Sequence, residues 1–95
     1  MTQKRKLHQL IGTINSAWLG TSKSKIYPNQ PFYYLEIKQQ KLFGTLKTDL
    51  FAFANLVPPE IWKALAQQTF AGQKYRFYCE KRTRGWRLKN WAEIE

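Results

Sequence analysis

Large aromatic residues alternate with cations in the second half of this sequence, and that combination has a definite chemistry. Tyr78 follows Arg76 at a spacing of two, and Trp91 follows Lys89 in the same way. Side chains two residues apart on a strand point to the same face. Aromatic rings stack on planar groups, and cations neutralise anionic ones. A face that carries both residue types predicts contact with a ligand that is flat and anionic.

The elements that would position these residues form a predicted β-hairpin over residues 72–94. On its first arm Tyr75, Phe77 and Cys79 alternate with polar residues, which is typical of a strand with one buried face. The expected apolar face of the second arm consists of Trp86, Leu88, Ala92 and Ile94. The face opposite it is expected to hold Arg87, Lys89, Trp91 and Glu93.

The turn of this hairpin, residues 81–85, is cationic and ends in Gly85, which can take the positive φ that a tight turn requires. Tyr34 offers a further aromatic ring on the polar face of an earlier strand. The predicted stacking residues are Tyr34, Tyr78 and Trp91. The predicted phosphate partners are Lys23, Lys25, Lys38, Arg76, Lys81, Arg82, Arg84, Arg87 and Lys89.

Composition supports a small folded protein with an anionic partner. The chain has 95 residues, which predicts a single domain over 1–95 with residues 1–6 as a basic, flexible arm. A net charge of +10 favours polyanions, with nucleic acid first. The single Cys79 excludes an intramolecular disulfide and is expected to be a small core residue.

Several other classes of function find no support in the residues. His8 is the only histidine, and with one Cys it cannot form a zinc-type cluster. The six acidic residues are scattered, and no glycine-rich phosphate loop is present. We therefore expect no enzyme, no cofactor, no metal and no small-molecule substrate. No signal peptide or membrane span is predicted, which favours a soluble, cytoplasmic protein.

The order of predicted elements indicates the fold class. Strands are expected over 7–19, with a bulge or bend at Gly12, over 32–39 and over 46–55, with a loop over 20–31. One helix follows Pro58 and Pro59 and is expected to reach about Thr69, with Gly72 as its stop. The hairpin completes the chain. Core positions are predicted for Trp18, Trp62 and Trp86.

This order, β-β-β-α-β-β, is that of the OB-fold, a five-stranded barrel that is all-β apart from one helix. The segments LIGTI at 10–14 and LFAFANL at 50–56, and the GQKYRF that follows the helix, resemble bacterial single-stranded-DNA-binding proteins. The chain also resembles primosomal replication protein B and the short plastid and cyanobacterial homologues. The resemblance covers nearly the whole chain.

The resemblance implies binding of single-stranded DNA with little sequence specificity, in replication or repair. It also implies a homodimer formed through the first strand, and a plastid stroma location if the chain is plastid-encoded. The family's long acidic C-terminal tail has no counterpart after Trp91, so we expect no recruitment of other replication proteins. The turn at 81–85 is shorter than the finger loop of tetrameric members, which argues against their way of wrapping DNA.

Two alternatives to a DNA-binding protein stay open from the sequence. An RNA-binding OB protein would use the same stacking face, because nothing in the residues distinguishes a 2′-hydroxyl. A non-enzymatic interaction module would instead use its aromatic residues as anchors on an acidic protein complex.

Overall fold

The computed structural model describes residues 7–23, 25, 28–82 and 85–94. Arg84 and the predicted arm at 1–6 lie outside the described residues. The strands are His8–Lys23 (β1), Pro28–Lys41 (β2), Gly44–Phe53 (β3), Lys74–Arg82 (β4) and Gly85–Ile94 (β5), and the helix is Pro59–Gln67 (α1).

The strands form a closed barrel in the order β1-β2-β3-β5-β4. The β3–β5 pair is parallel, and the other neighbouring pairs are antiparallel. Because β4 lies between β5 and β1, the last hairpin closes the sheet on the first strand. The helix connects β3 to β4. The structure thus confirms the OB-like barrel and the element order that the sequence predicts.

The barrel interior is filled by side chains that alternate inward along the strands. Leu35 and Ile37 on β2, Leu50 on β3, and Phe77 on β4 are fully buried. The helix adds Ile61 and Leu65 to the same core. Cys79 is buried as expected, and desolvation raises the pKa of its thiol to about 12.

Gly12 lies at a corner of the barrel, in agreement with the bend that the sequence predicts at this residue. Strand β1 pairs with β4 up to Thr13 and with β2 from Thr13 onwards. A Cβ atom on Gly12 would come within 2.5 Å of the Lys38 carbonyl oxygen. The corner therefore requires a residue without a side chain.

A β-bulge in β1 overturns the predicted core position of Trp18. The pairing steps from Ile14↔Ile37 to Ser16↔Glu36, so that Asn15 is an extra residue. An extra residue reverses the phase of every side chain that follows it. Ile14, ahead of the bulge, is buried, whereas Trp18 lies on the outer surface and is 53% exposed.

A second bulge, in β5, overturns the predicted outer position of Trp91. Cys79 pairs with Leu88 while Tyr78 pairs with Asn90, which leaves Lys89 as the extra residue. Beyond this bulge Trp91 is paired with Phe77 and packs against the core. The prediction that Leu88, Ala92 and Ile94 share one face is therefore wrong for Ala92 and Ile94, which follow the bulge.

The connections differ from the prediction in length. Pairing of Thr21 with Pro31 and of Lys23 with Pro28 extends the β1–β2 ribbon through most of the predicted loop. Cross-strand pairing here overrides a composition typical of loops. The helix ends at Gln67, ahead of the predicted Thr69, because Gln68 takes a left-handed φ of 56° and closes it.

Candidate nucleic-acid interface

Five aromatic side chains form one contiguous strip on the outer surface of the barrel. They come from the three neighbouring strands β1, β2 and β3. We call this strip the aromatic band, and its members are Trp18, Phe32, Tyr34, Phe51 and Phe53.

The rings of the aromatic band contact one another in sequence across the strands. The centroids of Trp18 and Tyr34 are 5.6 Å apart, and those of Tyr34 and Phe51 are 5.2 Å apart. Phe32 continues the strip, at 5.9 Å from Phe51 and 5.4 Å from Phe53. These separations lie in the range at which aromatic pairs attract. The band is therefore continuous from β1 to β3.

Strand alternation and register explain how the band forms. Leu35 and Ala52 point inward, so their neighbours on β2 and β3 must point outward. The register then places Tyr34 opposite Phe51, and Phe32 opposite Phe53. The bulge at Asn15 brings Trp18 of β1 beside Tyr34.

Two glycines make room for the rings of the band. A Cβ atom on Gly20 would lie 2.9 Å from the Phe32 ring, and one on Gly85 would lie 3.3 Å from the Phe51 ring. Gly85 also has a φ of +134°, which a residue with a side chain rarely adopts. Both rings therefore lie close over bare backbone.

Arg87 of β5 ends the band with a cation. Its guanidinium carbon lies 5.4 Å from the centre of the Phe53 ring, which is a cation–π contact. Arg87 also forms an ion pair with Glu80 at 3.6 Å, and Arg82 pairs with the same carboxylate oxygen at 3.3 Å. Two guanidinium groups thus share one carboxylate oxygen.

Further cations lie beyond both ends of the band along the strands. Lys23 ends β1 and Lys25 follows it, and both are exposed. At the other end Lys38 is paired with Lys47 across β2 and β3. The predicted phosphate partners Lys23, Lys25, Lys38, Arg82 and Arg87 thus surround the band.

An acidic pair lies on the outer surface between the rings and the lysine pair. Glu36 and Asp49 face each other across β2 and β3. Glu36 accepts a hydrogen bond from the Asn15 side-chain amide at 2.7 Å, and it forms an ion pair with Lys47 at 3.8 Å. Asp49 accepts a hydrogen bond from the Tyr34 hydroxyl, and this bond is the main reason that the pKa of Tyr34 is raised.

The structure does not bring the three predicted stacking residues together. Tyr34 belongs to the band, whereas Tyr78 and Arg76 lie on β4, which pairs with neither β2 nor β3. Trp91 stacks on Tyr75 against the core. A single platform built from Tyr34, Tyr78 and Trp91 is therefore wrong, although a nucleic-acid contact of each residue stays a prediction.

The remaining predicted cations lie on the last hairpin. Lys81 is exposed and is paired with Trp86 across the hairpin. Lys89 occupies the bulge and is partly buried. Their roles also stay predictions.

Sequence reasoning missed four of the five members of the band. It assigned Trp18 to the core and did not single out Phe32, Phe51 or Phe53. The available signal was the spacing of Phe32 and Tyr34 on one strand and of Phe51 and Phe53 on another. Each pair alternates with the buried residues of its strand, so both of its side chains are expected to point outward.

Neither a metal centre nor a membrane span is found in the described part of the chain. Residues 7–23, 25, 28–82 and 85–94 contain no group of three His, Cys, Asp or Glu side chains that could hold a metal ion. Within those same ranges, no helix has the length and apolar character needed to cross a bilayer.

Comparison of the chain with protein-family models, curated proteins and solved structures finds no match. The resemblance to single-stranded-DNA-binding proteins therefore stays a prediction.

Proposed function

We propose that this protein binds single-stranded nucleic acid along the aromatic band, with little sequence specificity. One observation carries the proposal: five rings, each in contact with at least one other, lie on the outside of the barrel, with cationic residues beyond both ends. A solvated sheet face would ordinarily be polar at these positions. Trp18 is exposed and the other four rings are partly exposed, and an aromatic strip of this kind on an outer surface is typical of an interaction site.

The chemistry of the band favours nucleic acid over a protein partner. Every base has a flat π face, so a row of rings can stack successive bases with little regard to sequence. The net charge of +10 attracts a phosphate backbone, and Lys23, Lys25, Lys38 and Lys47 stand where it would leave the rings. A surface with both rings and cations matches a ligand that carries both exposed bases and phosphates.

The band also favours single strands over duplex. In a duplex the base faces are stacked on one another, and only the base pairs at the two ends have an accessible face. A duplex could therefore use the cations but not the rings. Base–aromatic stacking contributes about 1–3 kcal/mol per base, so the loss of several stacks would be a large part of the affinity.

The preference for DNA, and a role in replication or repair, is supported by the family resemblance alone. RNA would stack on the same rings, so it is the direct alternative. We propose a binding module without catalytic activity.

The experiment is a titration of intrinsic tryptophan fluorescence, because Trp18 belongs to the band and would be quenched by a stacked base. The protein is titrated with a single strand, with the duplex of the same sequence, and with the RNA of that sequence. We expect single-strand binding at least about tenfold tighter than duplex binding. Equal affinities would contradict stacking and leave only charge, and tighter RNA binding would select the RNA alternative.

A further inference from the structure

An open groove adjoins the aromatic band between β3 and the start of β5. It has a volume of about 380 Å³. Tyr34 and Phe51 form an aromatic wall, Asp49 and Lys47 contribute opposite charges, and Gly85 adds no side chain. The groove is therefore continuous with the stacking surface but differs from it, because it holds hydrogen-bonding groups as well as rings.

Asp49 is the hydrogen-bond acceptor of this groove. Its side chain is exposed, and its carboxylate accepts a hydrogen bond from Tyr34. A carboxylate has two oxygens and about four acceptor positions, so one bond from Tyr34 leaves room for others. The neighbouring Glu36 is engaged differently, because it is held by Asn15 and Lys47. Asp49 is thus the carboxylate that a base lying on Tyr34 or Phe51 would meet.

A carboxylate distinguishes bases by the groups on their edges. Cytosine and adenine carry exocyclic amino groups that donate hydrogen bonds, whereas thymine offers carbonyl oxygen in the corresponding position. A carboxylate accepts from an amino group and is repelled by a carbonyl oxygen. The wall of the groove would stack any base, but Asp49 would favour those with an amino group.

We propose that this groove holds one base of the bound strand and that Asp49 selects a base with an exocyclic amino group. In this arrangement the base stacks beside Tyr34 and Phe51, its amino group donates to Asp49, and Lys47 lies near the phosphate. The inference depends on the proposed single-strand binding and adds to it a modest preference in base composition.

The test compares short oligo(dC) and oligo(dT) strands of equal length, at neutral pH and one salt concentration. It uses the wild-type chain, Asp49→Asn and Glu93→Gln. The last variant is the matched control, because Glu93 is exposed at the far end of β5 and its change alters the net charge by the same amount. The asparagine amide both donates and accepts, so it should tolerate either base.

We expect the wild-type chain and Glu93→Gln to bind oligo(dC) about fivefold more tightly than oligo(dT), at the low end for a specific base contact. In Asp49→Asn the ratio should fall close to one. Equal binding of both strands by the wild-type chain, or an unchanged ratio in Asp49→Asn, would overturn the inference and leave single-strand binding intact. Failure of the wild-type chain to bind either strand would overturn the proposed function as well.

Discussion

The indole of Trp91 lies nearly parallel to the ring of Tyr75, with centroids 4.3 Å apart and an interplanar angle of 21°. Trp91 also meets Phe77 edge to face at 6.1 Å. Tyr75 and Phe77 are core residues of β4, so these contacts make Trp91 part of the barrel's packing. The bulge at Lys89 is what makes the contacts possible.

The first prediction concerns the stability contributed by Trp91. Trp91→Ala should lower the free energy of unfolding by about 3 kcal/mol, near the low end for truncation of a large aromatic, because the indole stays partly exposed. Urea denaturation measures this. The control is Phe43→Ala, since Phe43 is 93% exposed and should change stability by less than about 0.5 kcal/mol. Equal stability of the two variants would show that Trp91 does not pack as described.

The second prediction concerns the corner at Gly12. Gly12→Ala should cost about 3 kcal/mol or more of stability, because its Cβ would lie 2.5 Å from the backbone oxygen of Lys38. Gly72→Ala is the control: Gly72 has a φ of +76° but no atom within 4 Å of the added Cβ. We expect only the left-handed penalty there, about 1 kcal/mol. Thermal melts that rank the two variants in the reverse order would contradict the corner.

The third prediction uses the pKa of Cys79. Burial raises this pKa from 9.0 to about 12, so the neutral thiol is favoured in the folded state. The contribution of the thiol to stability is complete below pH 9 and is lost as the pH rises from 9 towards 12. The difference in unfolding free energy between the wild-type chain and Cys79→Ala should therefore shrink over that range. A constant difference would show that the thiol is not desolvated.

The fourth prediction concerns the salt dependence of binding. Lys23→Ala combined with Lys25→Ala should weaken single-strand binding and make the log–log slope against salt shallower by about 1.4, because each phosphate contact contributes about 0.7. The control removes Lys41 and Lys74, which line a separate groove with Gln9 and Ile11. If the control variant flattens the slope more than the Lys23 and Lys25 variant does, the bound nucleic acid does not pass the end of the β1–β2 ribbon.

Sequence patterns predicted the fold because the barrel core follows strict alternation over most of each strand. Phe77 and Cys79 are buried in the predicted phase, and Leu35 and Ile37 on β2 are buried in the same alternating way. The element order then left few other topologies. The same patterns could not reveal the bulges, because an extra residue in a strand leaves no mark on composition.

Those bulges account for the larger errors at the candidate site. Trp18 and Trp91 each follow an extra residue, so each indole lies on the face opposite to the predicted one. Tyr34 lies on a strand whose phase is unbroken from Phe32 to Lys41, and its outward position was predicted correctly. The joining of Phe32 and Phe51 with Tyr34 depends on β2–β3 register, which a single sequence does not display.

The most direct test of the aromatic band is the affinity of Trp18→Ala for a labelled single strand, measured by fluorescence anisotropy so that the lost indole does not alter the signal. Trp18 is 53% exposed, so the fold should be retained, which a thermal melt checks. Phe43→Ala is the control, because Phe43 is an even more exposed aromatic outside the band. We predict that Trp18→Ala loses about 1–3 kcal/mol of binding free energy while Phe43→Ala binds like the wild type. Wild-type affinity in Trp18→Ala would contradict the account.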